Sequence, residues 1–209
     1  MEYTDKQQQI MTIAEKLFSE LGFEGASVRD IAKEAEVNVA MISYYFGSKD
    51  KLLEAIFIKH TDIIRLKLEN ILMDEKMDPL QRVNVMIDAY VEKAFRSQGF
   101  HRIMVREQML NKDSHISKLL HEMKKRNQDL VRQLITYGQK QGVFKKNIDI
   151  PLMMATMVGT TYQLITTQHF YREINDLQDM PDEEFQKLIR KKLTVHLKTL
   201  FKAILTYEA

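Results

Sequence analysis

The sequence predicts an all-α fold of about nine helices. Three observations carry that expectation. Apolar residues recur at helical spacing along most of the chain, and no alternating run long enough for a strand interrupts them. Capping residues stand where each periodic segment begins. Three Pro and seven Gly in 209 residues are too few for the many turns of an all-β domain.

The elements follow in order. Thr4 with Gln7 has the capping-box spacing, and Ile10, Ile13, Ala14, Leu17, Phe18 and Leu21 then keep a helical period up to Gly22. Ser27 with Asp30 opens a second helix carrying Ile31, Ala32 and Ala35. Asn38 opens a third, which Gly47 ends. Ser48 opens a long fourth, with Leu52, Leu53, Ile56, Phe57, Ile63 and Ile64 along it, ending near Met73. Asp78-Pro79 puts Pro at the first position of a fifth, reaching about Ser97. A sixth runs from Phe100 to Asn111, and a seventh from Asp113 or Ser114 to Gly142. Asp149, Ile150 and Pro151 start the eighth, and a loop from Asn175 to Pro181 leads to the ninth, ending near Tyr207. Helices are short before residue 48 and long after it, which predicts a small domain over 1–48 and a larger helical domain over 49–209.

Several function classes are disfavoured. There is no Cys, so disulfides and thiol chemistry are excluded. No phosphate-binding Gly-rich loop, His-Glu-x-x-His or nucleophile elbow is present, and the six His show no metal-ligand pair at helical spacing. No enzyme activity, cofactor or metal is therefore expected. The N-terminus lacks a basic-then-apolar leader pattern, so the protein is expected in the cytoplasm. From Ile150 to Tyr171 there are 22 residues without formal charge. Pro151, five Thr, two Gln and His169 in that stretch argue against a membrane span and for a helix buried on most sides within protein.

Between the second and third helices stand only Glu36 and Val37, the spacing of a helix-turn-helix. Ile31, Ala35, Val37, Ile42 and Phe46 can lock the two together, with Ile13, Leu17, Leu21 and Phe23 completing the core. The stretch "SVRDIAKEAEVNVAMISYYFGSKDKLLEAI", Ser27 to Ile56, resembles the DNA-binding signature of the TetR family of transcriptional regulators. The matching residues are Ser27, Ile31-Ala32, Ala35-Glu36-Val37, Tyr44-Tyr45-Phe46, Lys49 and Leu52. Glu36 departs from the family pattern, which has Gly at that turn; a left-handed turn there costs more for Glu.

The resemblance implies a transcriptional regulator whose third helix enters the major groove while the second braces the backbone. It places Val39, Ala40, Met41 and Ser43 at base edges, and Ser27, Tyr44, Tyr45 and Lys49 at phosphates. Arg29 could reach a phosphate or a guanine edge. Val39, Ala40 and Met41 make an apolar reading edge, better suited to thymine methyl groups than to guanine. Residues 1–54 carry six Lys and Arg against ten Asp and Glu, a balance of −4. Few cations are thus available to displace counterions, and a shallow salt dependence of DNA binding is expected.

For the rest of the chain the resemblance implies a homodimer joined through the eighth and ninth helices. Ala155, Gly159, Leu193, His196, Leu197, Leu200, Phe201 and Ile204 are the expected interface. Two-fold symmetry would match a palindromic operator. It also implies a cavity for a small hydrophobic or amphipathic effector, with candidate liners Phe57, Thr61, Met86, Tyr90, Met104, Gln108, Met123, Leu134, Met157, Thr161 and Tyr162. The alternative is a ligand-independent helix-turn-helix protein that acts structurally or through a protein partner.

Overall fold

The computed structural model describes residues 3–110 and 114–206. Among the described residues the chain forms ten helices and no strand. They are α1 (Asp5–Gly25), α2 (Val28–Glu34), α3 (Val39–Phe46), α4 (Lys49–Met73), α5 (Pro79–Arg96), α6 (Gln98–Leu110), α7 (His115–Lys140), α8 (Ile150–Thr166), α9 (Gln168–Ile174) and α10 (Asp182–Leu205). The helix ends expected at Asn111, Asp113 and Tyr207 lie outside the described residues.

The start signals act as capping chemistry. Thr4 Oγ1 accepts from the Gln7 amide at 3.3 Å while Gln7 Oε1 accepts from the Thr4 amide at 3.0 Å. Ser27 and Asp30 repeat that box, and Asp149 caps α8 through the Leu152 amide at 2.9 Å. Gly22 breaks α1 with φ 81° and ψ 167°, a conformation open to a residue without Cβ. At the end of α7, Val143 donates to Gly138 O and Gly142 to Gln139 O, with Gly142 at φ 73°: a Schellman termination.

Ten helices appear instead of nine because the uncharged stretch breaks at Thr167, with φ −112° and ψ 28°. Thr166 Oγ1 donates to Tyr162 O at 2.9 Å and Thr167 Oγ1 to Gln163 O at 2.8 Å. Hydroxyls bonded back to the preceding turn bend helices, and here two do so in succession. The expectation that this stretch is buried on most sides is corrected. α8 buries one stripe, Ile150, Met153, Met157 and Thr161, and leaves Leu152, Ala155, Gly159 and Gln163 exposed. Among the described residues no helix is long and apolar enough to cross a membrane.

The chain divides into two compact units, one of residues 1–63 with 97–124, the other of 64–96 with 125–209. The first is larger than the 1–48 read from helix lengths. Its apolar core joins Ile10, Met11, Ala14 and Phe18 of α1 to Leu52, Leu53, Ile56 and Phe57 of α4 and Phe100 and Ile103 of α6. Phe57 and Phe100 meet edge to face at 5.0 Å. His60 of α4 stacks on Phe100 at 4.2 Å and bonds Glu15 of α1 at 2.7 Å, so α6 and the part of α4 up to residue 63 are integral to this unit. Three short helices alone bury too little apolar surface to be stable, which is the physical reason for the extension.

The second unit is built around α5 and α10. Phe185, Ile189, Leu193, Leu197, Phe201 and Leu205 form a fully buried strip on α10 at four-residue intervals. It packs in one core with Val83, Met86, Ile87 and Val91 of α5. Burying each such side chain contributes about 1.5–3 kcal/mol. Two arginines close the loops. Arg82 donates to Leu72 O, Asp74 O and Met77 O and lies over the Tyr137 ring. Arg172 bonds Met180 O and Asp182 and lies over Phe185.

Candidate nucleic-acid interface

The interface is built from α2, α3 and the turn between them. α2 ends by its own Schellman motif: Val37 donates to Ala32 O at 2.9 Å and Glu36 to Lys33 O at 3.2 Å. Glu36 stands at the left-handed position, φ 51°, so the turn keeps its shape without glycine. Buried Ile31, Ala32, Ala35 and Ile42 fix the angle between the helices. Asn38 Oδ1 caps α3 through the Ala40 amide at 2.9 Å.

The three aromatics at the end of α3 divide. Phe46 and Tyr45 are half-buried against the first unit's core, while Tyr44 is 82% exposed. Tyr45 meets both neighbours edge-on, at 5.2 Å to Tyr44 and 6.4 Å to Phe46. Val39, Ala40 and Ser43 are exposed and Met41 is half-buried. The structure therefore gathers Val39, Ala40, Ser43 and Tyr44 on the outer surface of α3. Arg29 is exposed on α2. Ser27 is exposed at the helix start, where its hydroxyl donates to Asp30 Oδ2 at 2.5 Å. That bond, then the backbone bond from Ser27, holds the Asp30 carboxyl below its ordinary range.

Lys49 departs from expectation. Its Nζ donates to Phe23 O at 2.8 Å and Ala26 O at 3.3 Å, and lies 4.2 Å from the centre of the Phe23 ring. The ammonium therefore staples the C-terminal end of α1 instead of projecting as a free cation. Nothing in the local sequence signals this, because Phe23 and Ala26 are over twenty positions away. Lys51 is exposed and paired with Glu54 at 2.6 Å, and that bond lowers the Glu54 carboxyl.

Two short helices joined by a tight turn form a helix-turn-helix, and the sequence comparisons name its family. Residues 10–56 match the family model described as bacterial regulatory proteins, tetR family. Residues 79–195 match the tetracyclin repressor-like C-terminal domain. The chain belongs to the TetR family. Among curated TetR-like relatives, the HTH-type transcriptional repressor NicS of Pseudomonas putida is 30% identical over 153 residues, 71% of each chain. Two solved structures share the fold. The ketosteroid transcriptional regulator KstR2 of Mycobacterium tuberculosis has a TM-score of 0.71 at 18% identity, covering 99% of this chain and 98% of that one. FadR of Bacillus subtilis, solved with stearoyl-CoA, has a TM-score of 0.70 at 20% identity, covering 94% and 97%. This TetR-family chain is a DNA-binding transcriptional regulator.

The other expected residues of this TetR-family chain sort by burial. Leu193, Leu197 and Phe201 are 3% exposed or less, covered by the chain's own core. They are corrected from interface to core, because surface already covered cannot be buried again by a partner. Ala155, Gly159 and His196 are exposed, and Leu200 and Ile204 are half-buried. Leu152, absent from the expected set, is 65% exposed on the same side of α8. Its i, i+3, i+7 relation to Ala155 and Gly159 was the signal available in the sequence.

The eleven candidate effector residues divide between the units. Phe57, Thr61, Met104, Gln108 and Met123 belong to the first; Met86, Tyr90, Leu134, Met157, Thr161 and Tyr162 belong to the second. In the first, Thr61 Oγ1 contacts Met123 Sδ at 3.2 Å and Gln108 Oε1 accepts from Lys124 at 2.9 Å. In the second, Tyr90 Oη and Thr161 Oγ1 are buried with no hydrogen-bond partner among the described residues. Burial pushes the Tyr90 phenol above its ordinary range. A separate surface recess of about 420 Å³ in the second unit is lined by Lys67, Asp88, Glu92 and Arg190 among others, and contains none of the eleven.

Proposed function

We propose that the protein is a homodimeric repressor that binds a palindromic operator through α2 and α3 and releases it when a small apolar or amphipathic effector occupies the second unit. It acts in the cytoplasm, on the DNA held there. Ser27, Arg29, Tyr44 and Tyr45 contact the backbone, and Val39, Ala40, Met41 and Ser43 approach the bases. The exposed, uncharged side of α8 with His196, Leu200 and Ile204 of α10 forms the dimer contact.

The orphaned Tyr90 and Thr161 hydroxyls carry the effector reading. An unpaired buried hydroxyl costs about 1–3 kcal/mol. Two of them, in a core that contains Met86, Leu134 and Met157, fit a ligand with an apolar body and a hydrogen-bonding group. FadR, which shares this fold, was solved with stearoyl-CoA, so acyl thioesters are the first class to test. α4 contributes to both units, and a change in its tilt would alter the separation of the two α3 helices. A ligand releases DNA only by binding the DNA-incompatible form more tightly.

Selection of bound sequences from random duplexes tests the DNA reading; a palindrome bound by two chains is expected. Effector candidates are then titrated with and without operator. Linkage requires the same factor in both directions, and a ligand that binds equally in both cases overturns the release mechanism.

A further inference from the structure

We propose that α3 specifies its operator by apolar contact of Val39 and Ala40 with thymine 5-methyl groups, and not by hydrogen bonds to purines. This rests on the reading that α3 docks in the major groove. The eight residues of α3 include no charged side chain and no Asn, Gln or His. Bidentate recognition of guanine takes Arg or Lys, and of adenine Asn or Gln. The helix therefore lacks the side chains that read purines in pairs of bonds.

The first turn of a recognition helix is the part that meets base edges. Here that turn presents Val39, 41% exposed, and Ala40, also exposed. The neighbouring Asn38 precedes the helix, and its Oδ1 accepts from the Ala40 N–H, which ties its amide to the helix start as a cap. Ile42 is buried, Met41 is half-buried, and the Lys49 ammonium is engaged with Phe23 O and Ala26 O. What α3 offers the groove floor is thus branched and unbranched methyl groups. The thymine methyl is the one apolar group that the base pairs display there. One turn further along, Ser43 offers the bases a single hydroxyl, which pairs with donors and acceptors alike, and Tyr44 presents a hydroxyl suited to the phosphates that flank the groove.

The test replaces thymines of the selected operator by deoxyuracil, one position at a time. This removes a methyl and leaves every hydrogen-bonding group in place. At one or two positions of each half-site, affinity should fall about fourfold per substitution, and about sixteenfold when both half-sites are changed, the ratio expected for one buried methyl-sized group. In Val39→Ala or Ala40→Gly protein the penalty at the matching position should shrink towards one. Both residues are exposed, so the fold is retained, and circular dichroism checks this. If a half-site with all thymines replaced binds as tightly as the parent, the proposal fails while operator binding stands. A penalty that persists unchanged in both variants assigns the methyl effect to DNA stiffness and also overturns it. If no sequence is selected at all, the docking reading fails with it.

Discussion

Replacing Glu36 by glycine should stabilise the protein. Glu36 holds the left-handed position of the α2–α3 turn at φ 51°, with its amide bonded to Lys33 O. That conformation costs a residue bearing a Cβ about 1–2 kcal/mol. Glycine removes the cost but loosens the unfolded chain, which takes back about 0.4–1 kcal/mol. The side chain is exposed, and no described hydrogen bond or ion pair is lost with it. The net gain is about 1 kcal/mol, or a rise in Tm of about 2–4 °C for a chain of this size. The assay is thermal unfolding followed by circular dichroism, with protomer concentration held fixed because a dimer's Tm depends on it. Glu36→Ala is the control: it removes the same carboxylate but keeps the Cβ. Its Tm should stay near that of the parent. If Glu36→Gly melts with or below Glu36→Ala, turn strain is not what glycine relieves, and the reasoning is wrong.

Gly138→Ala should cost about 1–3 kcal/mol in a urea titration, because the added Cβ would overlap the buried Phe144 ring; Phe144→Leu in the same chain should recover part of the loss. Lys49→Met should cost about 1–3 kcal/mol of stability by orphaning the Phe23 and Ala26 carbonyls. The salt slope of operator binding should stay unchanged in that variant and below about eight released counterions overall; a slope reduced by about one would return Lys49 to the phosphates. Because Ser27 depresses the folded-state titration of Asp30, the stability Asp30 contributes is present above the unfolded value of about 3.9 and is lost as pH falls through the folded one. Ser27→Ala should move the Asp30 carboxyl titration upward when followed by NMR, and no movement would remove the capping bond as its cause.

Local signals carried most of the helix assignments. The boxes at Thr4–Gln7 and Ser27–Asp30, the Asp149 cap and the glycines at 22, 47 and 142 are interactions within a few residues, so spacing alone reveals them. The break at Thr167 was hidden, because threonine is common inside helices and Thr156 makes the same back-bond without ending α8. The apolar edge of α3 was legible, since it depends on residue type and helical phase. The use made of Lys49 was not, since a lysine beside a helix start reads equally as a phosphate contact and as a staple.

The sequence by itself determined the all-α class, the helix-turn-helix and its family, because these are set by caps, periodicity and a spaced motif. Only the tertiary structure decided what each apolar stripe covers. Leu193, Leu197 and Phe201 have the same spacing as an interface stripe, and packing turned them inward. Leu152, Ala155 and Gly159 were left facing out on a helix that composition alone would bury. A hydrophobic side chain gains from any apolar neighbour, whether from its own chain or another. Periodicity can therefore mark a face as one that must be covered, while the three-dimensional arrangement of the other helices determines which chain covers it.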